Sequence, residues 1–297
     1  MSIRITQSML SRSLLADLAA TTGRLARIQD KLSSGKELQR PSDDPFGASR
    51  ALQLRAGLAE NRQHQRNATE AAAWQTVADT ALSQVGDLTL RARELLLRGA
   101  NGTLGTVARQ SIAVEIDQLA EAVKAEANAE YGGRYVFAGS ATLTRPYAAG
   151  LSDAYAGNTQ TIVREIGPGI TLDVNQAGSA VVGDGSTGLL KALRDIAAHL
   201  RADDVTALQG PDLQAIDAAH DMLTNARAVV GARTNRLETA IARLGAIEES
   251  SQLLLSETED ADMAKVLIDF STQQAVYQSA LKAGAQIIQP SLMDFLR

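Results

Sequence analysis

Apolar side chains return along the first segment at Leu14, Leu18, Leu25, Ile28 and Leu32, with Thr21 in step, alternating four and three residues. That spacing keeps one stripe of an α-helix against a partner helix, as a left-handed coiled coil requires. Ser33, Ser34 and Gly35 end the segment, because serine competes for local backbone bonds and glycine accepts the positive φ of a helix terminus. Asp44-Pro45 starts the next helix: the carboxylate accepts from exposed amides, and proline has no donor to leave unsatisfied. With no proline before Pro146, one long helix is predicted from 46 to about 98. Residues 60–76 are polar apart from Trp74, so weaker partner contacts are expected there. The stripe resumes at Ala81, Val85, Leu88, Ala92 and Leu95. Gly99 to Gly105 interrupts it before Ile112, Ile116, Leu119 and Val123, which predicts a helical hairpin.

The pattern changes between Tyr131 and Gly188, which hold eleven of the 23 glycines together with Tyr131, Tyr135, Phe137, Tyr147 and Tyr155. Residues 134–137 and 161–166 are predicted strands, and Ile170, Leu172 and Val174 alternate with polar neighbours. Helix returns from Thr187 through Leu200 and again from Pro211, with no proline until Pro290. The last segment carries Leu267, Phe270, Gln274, Tyr277, Leu281, Gly284 and Ile288 in steps of three and four. The expected fold is mainly α with a small β-rich insert, a long helical-bundle or coiled-coil rod formed by the N- and C-terminal arms. Four parts are expected: an N-terminal arm and loop, 1–44; a discontinuous helical domain, 45–130 with 189–262; a β-rich outer domain, 131–188; and a C-terminal arm, 263–297. The inner seams read equally well as an intramolecular helical core. The two end segments would extend as a two-helix stalk, which makes Leu14, Leu18, Leu25, Ile28, Leu32, Leu267, Phe270, Tyr277, Leu281 and Ile288 the expected assembly interface.

Composition narrows the function. A chain of 297 residues with 45% hydrophobic content can fill a core, and only 3% aromatic residues favour helix pairs over a thick globular interior. The net charge is -5 with both signs interspersed, so no nucleic-acid footprint stands out. Cysteine is absent, which removes disulfides, thiol catalysis and thiolate metal sites. Arg12 and Asp17 break up the first twenty residues, so neither a cleaved secretory signal nor membrane insertion is expected.

Candidate chemistry is thin. His64, His199 and His220 lack metal-ligand spacing and are expected on the solvated surface. Asp43-Asp44 is read as turn plus helix cap rather than a carboxylate pair. Gly132, Gly133 and Gly139 lack the lysine of a phosphate loop, and Asn101-Gly-Thr103 is a turn before it is a glycosylation site. No cofactor or metal is called for. An enzyme built into this framework would need a nucleophile–base or metal constellation within 131–188, where histidine and cysteine are absent. Serine–lysine or paired-carboxylate chemistry would need residues that meet only in the fold.

Leu32-Ser-Ser-Gly-Lys36 followed by Arg40-Pro-Ser-Asp-Asp-Pro45 resembles the N-terminal signature of the flagellin superfamily. Asn101-Gly-Thr103 before a helix and Gly133-Arg-Tyr-Val-Phe-Ala-Gly139 after it are similar to the hook-filament junction branch of that superfamily, and Asp260-Ala-Asp-Met263 resembles its C-terminal signature. The resemblance covers both arms, and the central insert is unfamiliar. It implies a non-enzymatic subunit whose two ends pair as the inner layer of a tubular assembly, with the β region outward. It also implies a place at the junction joining hook to filament, self-assembly into a ring or helical layer, and contacts with a second hook-associated junction protein and with flagellin. Export through the flagellar type III route, with a cytoplasmic chaperone, to an extracellular position on the flagellum follows from the same likeness. A short filament flagellin is the alternative.

Overall fold

The computed structural model describes residues 7–150 and 152–288; side chains at 7, 8, 10, 11 and 286–288 lie outside that description. Among the described residues, seven α-helices and two small hairpins follow in the order α1 (Gln7–Ser34), α2 (Pro45–Gly99), α3 (Thr106–Ala127), β1 (Glu130–Tyr131), β2 (Arg134–Tyr135), β3 (Val163–Gly167), β4 (Ile170–Asp173), α4 (Gly188–Ala202), α5 (Val205–Gln209), α6 (Pro211–Glu259) and α7 (Met263–Ile288). The described chain is thus mainly helical, as the periodicity predicts. Its contacts divide it into two compact units, residues 1–59 with 248–297 and residues 60–247, and both divisions fall inside the long helices α2 and α6.

Local chemistry sets the helix ends. The Asp44 carboxylate accepts from the Phe46 amide at 3.0 Å, and Gly35, at φ 69°, donates to the Lys31 carbonyl at 2.9 Å to close α1. Asp203 closes α4 in the left-handed region at φ 63°, where aspartate is one of the few tolerated side chains. Buried Arg109 holds it there by an ion pair, and the same guanidinium donates to the carbonyls of Gly99 and Asn101, both at 2.9 Å. One arginine therefore ties the α2–α3 turn to the end of α4. Within that turn the Asn101 side chain accepts from the Thr103 amide at 3.1 Å and hydroxyl at 2.9 Å, the turn role that the sequence suggests.

Residues 60–247 enclose a continuous core. Along α2 the inward positions are Asn61, His64, Ala68, Ala71, Gln75, Ala78, Leu82, Val85, Thr89, Ala92, Leu96 and Gly99, an unbroken alternation of three and four. On α6, Ile216, Leu223, Val230, Leu237 and Leu244 recur every seventh residue and are all buried. The two helices run antiparallel, as shown by Asn61 donating to the Leu244 carbonyl at 2.8 Å, Asp79 meeting Arg227 at 3.2 Å and Arg93 meeting Asp217 at 2.6 Å.

The polar stretch of α2 is therefore not a gap in packing, contrary to expectation. Small and amide side chains keep its register, and the buried amides are satisfied, Gln75 by the Val174 carbonyl at 2.6 Å. His64 is buried in this seam, His199 meets Asp212 at 2.8 Å, and His220 is only half-exposed, so the histidines are not the solvated surface residues expected from spacing.

The glycine-rich region packs into the same core through Val136, Phe137, Tyr147, Ile166, Leu172 and Val174. Gly132 and Gly133, at φ 57° and 75°, make the two-residue turn between β1 and β2. The strand predicted at 134–137 stops at Tyr135, because Val136 and Phe137 turn into the core and Phe137 bonds the Gly178 amide instead of a strand partner. Arg194 on α4 reaches Asp117, Glu121 and Asp153 at 2.8–3.0 Å, and buried Lys124 reaches Glu121 at 2.7 Å and Asp153 at 3.1 Å, which fastens the loop holding Asp153 to α3 and α4.

The heptad on α6 carries much of this core. Leu237→Ala is expected to cost about 2–5 kcal/mol, seen as a lower urea midpoint at unchanged slope.

Candidate assembly site

In the unit of residues 1–59 and 248–297, the stripe of α1 faces inward as its spacing predicts. Leu14, Leu18, Leu25, Ile28 and Leu32 are half-buried among exposed neighbours, and buried Thr21 satisfies its hydroxyl on the Asp17 carbonyl at 2.7 Å. The helix it meets is α7, antiparallel. A Cβ on Gly284 would stand 2.7 Å from Leu14 Cδ2, while Ile28 and Val266 line one cleft at the other end. Glycine at 284 thus lets α1 and α7 approach closely beside Leu14.

The α7 positions turned inward are Val266, Phe270, Gln273, Tyr277, Ala280 and Gly284. Phe270, Tyr277 and Gly284 were expected on this seam. Leu267 and Leu281 are not in it: they are 52% and 44% exposed, and Gln274 is exposed too. Apolar identity drew the predicted stripe one residue too far round the helix at those positions, because the real seam accepts Gln273 and Ala280. The side chain of Ile288 lies outside the described residues. Leu267, Ile268, Val276 and Leu281 are 44–65% exposed and lie at different angles around α7, Leu267 and Leu281 along one edge of the seam.

The two terminal signatures meet in a joint. Glu37 donates its amide to the Glu259 carbonyl at 2.7 Å, Ala261 donates to the Gly35 carbonyl at 2.9 Å, and Lys36 and Asp260 pair as an antiparallel bridge. The Glu259 carboxylate, only 4% exposed, receives Lys36 Nζ and Arg55 Nη2, both at 2.7 Å. Burial pushes this carboxyl up, and the two cations more than offset that, leaving it below the usual carboxylate range. Asp262 then caps α7, accepting from the Ala264 amide at 3.0 Å and the Lys265 amide at 3.2 Å. Asp43 and Asp44 serve turn and cap, Asp43 accepting the Arg40 amide at 3.0 Å.

Sequence reasoning missed Glu259 and Arg55, since nothing in their spacing marks two residues that meet across the fold. It also missed the Ile216–Leu244 heptad, which plain counting in sevens reveals. Among the described residues no three His, Cys, Asp or Glu side chains converge on a metal position, and no helix is long and apolar enough to cross a membrane.

The carboxyl of Glu259 is depressed in the folded state, so its contribution is present above the unfolded pKa and lost as pH falls through the folded one. Glu259→Gln is expected to lower the thermal midpoint at neutral pH, and the difference from wild type should shrink in titrations down to roughly pH 3.

The chain matches the bacterial flagellin N-terminal helical region over residues 5–142 and the C-terminal helical region over residues 213–296. It is 26% identical over 288 residues to the flagellar filament 31.3 kDa core protein of Treponema maltophilum, covering 94% of this chain and 95% of that one. It is 25% identical over 323 residues to flagellar hook-associated protein 3 of Salmonella typhimurium, covering 99% of this chain and 100% of that one. Two solved structures share the fold. Flagellar hook associated protein-3 of Legionella pneumophila superposes with a TM-score of 0.62 at 16% identity, covering 69% of this chain and 97% of that one. The FlgL protein of Bacillus cereus does so with a TM-score of 0.58 at 24% identity, covering 70% and 99%.

Proposed function

We propose, from the premise that this chain belongs to the bacterial flagellin family, that it is a structural subunit of the flagellum seated at the junction between hook and filament. The observation that carries the assembly reading is the exposure of Leu267 and Leu281 along one edge of the seam that α7 forms with α1. A single chain leaves these side chains about half in water, and neighbouring subunits would bury them further. The division into N-terminal arm, discontinuous helical domain, β-rich 131–188 region and C-terminal arm serves that role, with the arms as the packing layer.

The family's members are structural proteins, and this chain is not an enzyme. Placement at the junction draws on the full-length match to flagellar hook-associated protein 3 and on the Asn101–Thr103 and Gly133–Gly139 motifs. Its partners there are further copies in a ring or helical layer, the adjacent hook-associated protein and flagellin. A cytoplasmic chaperone and the flagellar type III route deliver it to the cell exterior. A short filament flagellin is the second reading, favoured by the match to the Treponema filament protein over 94% of this chain.

Electron microscopy of a strain lacking this chain separates the two. Hooks without filaments, accompanied by secreted unattached flagellin, are the expected result; normal filaments joined to hooks would overturn the junction role. Leu281→Asp puts a charge at a half-exposed apolar position on the edge of the α1–α7 seam. The soluble chain is expected to keep its unfolding midpoint within about 0.5 kcal/mol while failing to restore motility to that strain.

A further inference from the structure

The turn between α2 and α3 presents Asn101-Gly102, the one Asn-Gly pair in the sequence, to solvent. Two donors converge on the Asn101 side-chain oxygen, the Thr103 amide at 3.1 Å and the Thr103 hydroxyl at 2.9 Å, and together they draw electrons away from Cγ. Among the described residues the Gly102 amide has no acceptor, and a Cβ placed on Gly102 would meet nothing within 4 Å, so the space around it is open. The Asn101 main-chain carbonyl is held by two further donors, the Leu104 amide at 3.1 Å and Arg109 Nη2 at 2.9 Å. Asp184-Gly185 has a similar arrangement, its Oδ1 accepting from the amides and hydroxyls of Ser186 and Thr187 at 2.8–2.9 Å. There those bonds, the Ser186 hydroxyl's first, draw the carboxyl down to about 2, and the resulting carboxylate repels a nucleophile. The neutral amide of Asn101 is polarised by its donors instead.

We propose that Asn101 is a site of spontaneous deamidation promoted by the fold, with isoaspartate as its main product. Solvent hydroxide takes the Gly102 amide proton, and the nitrogen electron pair forms a bond to Asn101 Cγ. The displaced electrons move to Oδ1, where the Thr103 amide and hydroxyl stabilise them. They return as the Cγ–Nδ2 bond breaks, and that nitrogen leaves as ammonia with a proton from water. A succinimide ring remains. One water then adds to a ring carbonyl, and the bond from that carbon to the Gly102 nitrogen breaks. Addition at Cγ gives aspartate. Addition at the α-carbonyl, whose oxygen Leu104 and Arg109 polarise, gives isoaspartate, with the main chain running through Cγ and the α-carboxylate free. That carboxylate succeeds the carbonyl as acceptor for Arg109 and makes a neutral hydrogen bond into a charge-assisted one. The chain thereby gains a negative charge at the buried arginine that ties the α2–α3 turn to the end of α4. The reaction depends on neither assembly nor the junction reading.

The full-length chain is held in mildly alkaline buffer, either folded or unfolded in guanidinium chloride. Its peptides are mapped by mass for the replacement of NH2 by OH, and isoaspartate is counted by enzymatic methylation. The folded chain is expected to convert Asn101 about threefold or more faster than the unfolded chain, with a larger share of isoaspartate. Thr103→Val removes the hydroxyl donor at an exposed position and is expected to slow the folded reaction about threefold while leaving the unfolded rate unchanged. Thr103→Ser keeps the hydroxyl and is expected to keep the rate. Each variant's folded rate is read against its own unfolded rate, and urea midpoints equal to the parent's show that both variants fold. A folded rate at or below the unfolded one overturns the proposal, as does a Thr103→Ser chain as slow as Thr103→Val. Equal isoaspartate shares in folded and unfolded chains would overturn the part assigned to Leu104 and Arg109.

Discussion

A helix of 55 residues cannot bury a stripe of its own side chains against itself, so every third and fourth position of α2 must be covered by another element. That requirement organises the body from 60 to 247. The inward register runs to Gly99, where a Cβ would come within 2.4 Å of Leu200, and α6 answers it with a side chain every seventh residue. Where the register passes through polar sequence, the polar groups are buried with it. Asn61 and Gln75 each give their amide to a carbonyl on another segment, so desolvation there is compensated by hydrogen bonds instead of avoided.

The joint at Glu259 meets the same demand with charge. Two backbone hydrogen bonds align the strand-like segments around Lys36 and Asp260, and one nearly buried carboxylate collects both Lys36 and Arg55. Removing both cations would leave the nearly buried Glu259 carboxylate uncompensated, whereas Lys36 and Arg55 are 41% and 51% exposed and stay solvated without it. The short signatures at 32–45 and 260–263, far apart in the chain, are in this sense halves of one structural feature.

Residues 60–247 close a core that takes in the glycine-rich segment and pins it with the Arg194 and Lys124 ion pairs. Residues 1–59 with 248–297 pair α1 with α7 yet leave Leu267, Ile268, Val276, Leu281 and Phe46 in water. Residues 60–247 likewise leave Val107 and Leu143 in water, so large apolar side chains are exposed on both units.

Helix type, length and order were legible from the sequence, because period, proline and glycine act locally: α2 starts at Asp44-Pro45 and α1 ends at Gly35 for reasons contained in a few residues. The inward face of α1 was legible too, since Leu14, Leu18, Leu25, Ile28 and Leu32 are both apolar and in step. On α7 the same logic chose Leu267 and Leu281 over Val266 and Ala280. Hydrophobicity ranks side chains without knowing which neighbour stands opposite, and at 284 a Cβ would press on the end of the Leu14 side chain. The burial of His64, the meeting of Glu259 with Lys36 and Arg55, and the absorption of 131–188 into the helical core all join residues distant in sequence. Only tertiary structure decided them, because they depend on which surfaces come together, and periodicity records that a surface needs a partner without recording which.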